Sequence, residues 1–118
     1  PVTYYGDEFG LPGANDPDNR RWMKFGTYSR HEQQTLEHYK KLSHLRSKHL
    51  ALQYGALRFQ HISDELLVYE RSYFGESVWV LYNGSSESKT LVWVHPFTGE
   101  LEHMSIPPLG TEVVVYEI

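Results

Sequence analysis

His31-Glu32-Gln33-Gln34-Thr35 follows the zinc-protease pattern His-Glu-x-x-His up to its last position. There Thr35 replaces the second His, and a zinc ion loses the ligand one helical turn away. Glu32 also lies three residues after Ser29, so the pair reads as a helix-capping box, with the carboxylate reaching back to the amide of Ser29. The other histidines, His38, His44, His49, His61, His95 and His103, are scattered without tetrahedral ligand spacing. Asp16-Pro17-Asp18-Asn19 resembles the start of a calcium loop but lacks the later Gly and the closing Glu. The carboxylate pairs Asp7-Glu8 and Asp64-Glu65 are neighbours in sequence, which does not make them converge in space. No Ser sits in a G-x-S-x-G elbow, and no glycine-rich segment matches a phosphate cradle. With no Cys in the chain, thiol catalysis, disulfides and Cys-based zinc sites are excluded. Trp79 and Trp93 offer flat faces of the kind sugars stack on, yet both sit inside apolar runs and read as core. No metal and no cofactor is expected.

Three zones must position these groups. In residues 1–28, Val2-Thr3-Tyr4-Tyr5 has high β-propensity and is expected to form a short strand ended by Gly6. Gly10, Pro12, Gly13, Asn15, Asp16, Pro17 and Asn19 then dictate a long loop. Long ordered loops in small domains often carry function. From Ser29 the pattern turns helical. Leu36, Tyr39, Leu42, Leu45, His49 and Leu52 wind around one broad side, and Glu37, Lys40, Lys41, His44 and Lys48 around the other. The helix is expected to run to residue 54 and to stop at Gly55. Residues 55–118 alternate as strands: 57–60, 66–69, 78–82, 90–94, 101–104 and 113–118. Val78-Trp79-Val80-Leu81-Tyr82 is continuously apolar, as a central strand should be. Turn residues about every ten positions, with no helix between, predict an antiparallel sandwich.

The 118 residues suffice for one compact domain, or a small domain plus part of another. Eleven basic against fifteen acidic side chains give a net charge of −4, which argues against nucleic acid as a partner. No apolar run approaches the roughly 20 residues of a membrane helix, so no membrane span is expected. The opening Pro1-Val2-Thr3-Tyr4-Tyr5 reads as the inside of a strand and points to a segment of a longer protein.

The first loop is the most specific part of the chain. Tyr4-Tyr5-Gly6-Asp7-Glu8-Phe9-Gly10, then Asp16-Pro17-Asp18-Asn19-Arg20 with Met23 beyond, closely resembles the α-amylase family, glycoside hydrolase family 13, in its bacterial α-amylase, neopullulanase and cyclomaltodextrinase branches. Thr3 stands where the family often has Ile, and Arg21-Trp22 replaces its common Pro before Met. Leu45 to Gly55 resembles the family's final barrel helix and its exit. The β-rich remainder resembles its C-terminal antiparallel domain.

The resemblance implies a mainly β chain with one long helix. Residues 1–54 would be the last strand, long loop and last helix of a (β/α)₈ barrel, and residues 55–118 an antiparallel β-sandwich C-terminal domain. It implies a retaining hydrolase of α-1,4-glucosidic bonds in starch-like glucans. The family's nucleophile Asp, acid/base Glu and third Asp stand at barrel strands four, five and seven. This chain resembles strand eight onward, so no catalytic residue is expected in it. In the family, the first Asp and the Arg of the Asp-Pro-x-x-Arg segment hydrogen-bond a glucose unit on the non-reducing side of the cleavage point. These map to Asp16 and Arg20. The implied ligand is an α-glucan or maltooligosaccharide. The alternative is a non-catalytic carbohydrate-binding or interaction module. A chain holding only the barrel remnant is also expected to self-associate, since strand edges and the helix's apolar side would lack neighbours.

Overall fold

The computed structural model describes residues 2–118, in two compact units, one running to Arg46 and the other Ser47–Ile118.

In the first unit, Gly6 and Gly10 take positive φ, +93° and +75°, on either side of a 3₁₀ turn, Asp7–Phe9. A side chain at Gly6 would be doubly disfavoured, because its Cβ would lie 2.6 Å from the Cβ of Leu11. The turn buries Phe9 against the ring of Tyr28, centroids 4.9 Å apart. A second 3₁₀ turn covers Asp18–Arg20. The expected strand at residues 2–5 is absent: Val2–Tyr4 joins no ladder, and Tyr5 already lies in a turn closed by the Asp7 amide donating to Tyr4 O at 3.1 Å. Its β-propensity is unfulfilled because a strand is a pairing, and no described strand pairs with it. Helix α1, Arg30–Lys48, begins where the capping box places it. Ser29 N–H donates to Glu32 Oε2 at 2.7 Å, and Glu32 N–H donates to Ser29 Oγ at 3.3 Å.

The expected single helix to residue 54 is in fact two. α1 ends at Lys48, His49 is extended (φ −108°, ψ 114°), and α2 spans Leu50–Tyr54. The break has a tertiary cause: the amide of Ala51 donates to Glu76 Oε2 at 2.6 Å, while His49 Nδ1 meets Glu76 Oε1 at 2.6 Å. Gly55 does end α2, but with φ −65°, not in the left-handed region. Its need for glycine is steric, since a Cβ there would sit 2.3 Å from Ala51 O and 2.8 Å from Ser72 O.

Six antiparallel strands follow: β1 Ala56–Ile62, β2 Leu66–Tyr73, β3 Glu76–Asn83, β4 Lys89–Val94, β5 Leu101–Ile106 and β6 Thr111–Glu117. Four form a sheet in the order β1-β2-β3-β6, and β4 pairs with β5. β3 is central and buries residues toward both faces, which explains its unbroken apolar run. Val68, Trp79, Leu81 and Tyr116 from the large sheet pack with Trp93 and Ile106 of the hairpin. Trp79 and Trp93 stack at 6.1 Å and 24°, and Trp93 Nε1 donates to Tyr116 Oη at 2.8 Å. Buried Asn83 ties the loops together: its amide donates to Glu87 O at 2.7 Å and Ile106 O at 3.1 Å, and its Oδ1 accepts from the amide of Ser85 at 3.0 Å. The sheet and hairpin are the antiparallel, sandwich-like β-structure that the turn spacing requires.

Candidate substrate-binding loop

The loop between residues 6 and 24 is rich in ionic groups, and short hydrogen bonds fix most of them. Glu8 Oε2 accepts from the amide of Gly6 at 2.8 Å, and Asp7 Oδ2 from the amide of Tyr4 at 2.9 Å. Both carboxylates brace the turn at residues 4–8. Asp18 accepts from Arg21 Nε and Arg21 Nη2, each at 2.9 Å, and from the amide of Ala14 at 2.8 Å. The bidentate Arg21 guanidinium, with the Ala14 amide second, holds the Asp18 carboxyl below the usual carboxylate range. The same pair raises Arg21 above its ordinary value. Tyr5 Oη donates to the carbonyl of Arg21 at 2.9 Å and anchors the loop's return.

Asp16 and Arg20, four residues apart, are brought together. Arg20 Nε lies 2.9 Å from Asp16 Oδ1, with the side chains 71% and 60% exposed. The contact sets the orientation of both groups and leaves them facing water, an acceptor beside a fork of donors. An open pocket of about 410 Å³ adjoins Arg20, lined also by Tyr5, Arg21, Trp22 and Met23. Trp22 is 94% exposed. An apolar ring standing in water beside an Asp–Arg pair suits a sugar ring, whose hydroxyls need both donors and acceptors and whose C–H face stacks on indole. Sequence reasoning treated Trp22 only as a departure from the family pattern.

Glu32, Glu65, Trp79 and Trp93 have structural roles. Glu32 caps α1 and takes Lys24 Nζ at 2.7 Å; the lysine contact, then the Ser29 amide, bring its carboxyl down to about 2. Glu65 pairs with Lys89 Nζ at 2.6 Å. Trp79 and Trp93 are buried core residues.

No protein-family model matches the sequence. Curated relatives do. The chain is 37% identical over 90 residues to a cyclomaltodextrinase of Geobacillus thermopakistaniensis (strain MAS1), which covers 75% of this chain and 15% of that protein. It is 33% identical over 117 residues to neopullulanase 2 of Thermoactinomyces vulgaris, 87% of this chain and 20% of the relative. The chain matches a C-terminal part of the α-amylase family. It thus spans about a sixth to a fifth of these α-amylase-family relatives. Solved structures agree in fold. An Anoxybacillus α-amylase superposes with a TM-score of 0.82 at 24% identity, over 97% of this chain and 28% of that one. CldA, a cyclomaltodextrin glucanotransferase with a three-domain ABC distribution, gives 0.74 at 28% identity, over 100% of this chain and 29% of that one.

Proposed function

We propose that this chain is the C-terminal part of a longer, retaining glycoside hydrolase that cleaves α-1,4-glucosidic bonds of starch-like glucans. In this reading residues 1–54 end the catalytic barrel and residues 55–118 form its C-terminal β-sandwich domain. The observation that carries the reading is the preoriented, water-facing Asp16–Arg20 pair, on a loop of a chain whose relatives are cyclomaltodextrinases and neopullulanases.

The chemistry follows from the groups. Asp16 accepts hydrogen bonds from vicinal sugar hydroxyls, and the guanidinium of Arg20 donates to their oxygens. Because each already holds the other, little side-chain freedom is lost when sugar arrives. Trp22 adds an apolar surface next to Arg20. Together they hold a glucose unit of an α-glucan or maltooligosaccharide on the non-reducing side of the cleavage point. Retention requires two carboxyls about 5 Å apart across the scissile bond. The family resemblance assigns those to barrel strands four, five and seven, so the chain alone is structural and does not catalyse.

The test sets the 118-residue chain beside the full-length protein, each with soluble starch. The proposal expects turnover from the full-length protein alone. Turnover by the chain that scales with its concentration and survives repurification would contradict it.

A further inference from the structure

We propose a divalent transition-metal site, best suited to zinc, formed by His49, Glu76 and Glu117 in the second unit. Their ligand atoms come from three elements: the junction of α1 and α2, the first residue of β3, and the last residue of β6. His49 Nδ1 lies 2.6 Å from Glu76 Oε1 and 3.9 Å from Glu117 Oε1, and the three atoms all fall within 4.8 Å of one another. Ligands of a tetrahedral zinc with bonds of about 2.1 Å stand about 3.4 Å apart, so small side-chain adjustments close the set.

A separate observation says that this place gains from positive charge. Glu76 and Glu117 are directly opposite in the β3–β6 ladder. Like charges in that relation repel and destabilise a sheet. A dication bound by all three side chains cancels that repulsion. The ligand chemistry narrows the ion. An imidazole nitrogen with two carboxylate oxygens suits zinc and its first-row neighbours, whereas calcium and magnesium prefer all-oxygen shells. Glu76 is already oriented by its second oxygen, which accepts from the Ala51 amide at 2.6 Å, a support of the kind metal-binding carboxylates have. An open pocket of about 440 Å³ reaches Glu76 and Glu117, so water can fill a fourth position. Lys48 also lines that pocket, and its ammonium opposes the cation. Bound there, zinc would pin the α1–α2 break to the ends of β3 and β6.

The test is calorimetric titration of zinc chloride into the metal-free 118-residue chain, with thermal unfolding alongside. One zinc per chain and a raised Tm are expected. Glu117→Gln alters a 68% exposed side chain at a strand end and leaves the fold intact; it should weaken zinc binding at least tenfold. His49→Gln should do the same. Failure of the wild-type chain to bind zinc overturns the proposal. So does equal affinity in folded Glu117→Gln, which would assign the ion to other surface histidines.

Discussion

Removing Asp16 or Arg20 separates a sugar contact from a loop brace. Their ion pair is exposed on both sides, so its loss should change stability by only about 0–1 kcal/mol and leave Tm nearly unmoved. The functional cost is larger. Each charge-assisted hydrogen bond to a sugar hydroxyl is worth about 1.5–3 kcal/mol, or about 10- to 150-fold in kcat/KM. Asp16→Ala and Arg20→Ala should each show that loss in the full-length enzyme on maltoheptaose. The double variant should fall short of the product of the two, because both groups share one glucose unit. A chromogenic substrate too short to reach the loop should lose far less. The reasoning fails if both variants match wild type on long and short substrates. It also fails if both substrates decline equally with a lowered Tm, because the pair is then only a brace.

Four further outcomes are expected. Glu32 has a folded pKa of about 2 against an ordinary 4.5, so its stabilisation of α1 is complete above 4.5 and disappears as pH falls toward 2. A carbon-13 titration of its carboxyl should give a midpoint near 2, and Lys24→Ala should move it upward; a wild-type midpoint near 4.5 refutes this. Tyr116, held at about 12 by burial and by its bond to Glu102, favours the fold fully below 10 and loses that contribution as pH rises through 12. Ultraviolet titration should show a tyrosine ionising near 12 that is absent in Tyr116→Phe. Asn83→Ala orphans loop carbonyls and the Ser85 amide and should cost about 2–3 kcal/mol in urea unfolding, with an unchanged cost of zero contradicting the network. The isolated chain should self-associate through its first 50 residues; a strict monomer in light scattering at high micromolar concentration refutes that.

What could be read from the sequence was local chemistry. Ser29 and Glu32 find each other because three residues separate them, and the run from Val78 to Tyr82 announces a strand covered on both faces. The glycines at 6 and 10 mark a loop whose backbone only glycine tolerates cheaply. What could not be read depends on partners distant in sequence. Val2–Tyr5 has the residues of a strand but no described ladder to join. The break at His49 is made by Glu76, 27 positions later. Glu117 faces Glu76 only because β6 returns beside β3. Asp16 and Arg20 were singled out through family resemblance, and the structure shows that they pair. Trp22 was not, since only the structure shows that ring standing in solvent.

We propose retaining hydrolysis of α-1,4-glucosidic bonds by the longer protein, with this loop as a sugar contact. Proton NMR of the full-length enzyme acting on maltoheptaose, recorded before mutarotation, tests it most directly. With retention, the α-anomer of the new reducing end appears first. Initial release of the β-anomer, or no cleavage of α-1,4-linked glucan, would contradict it.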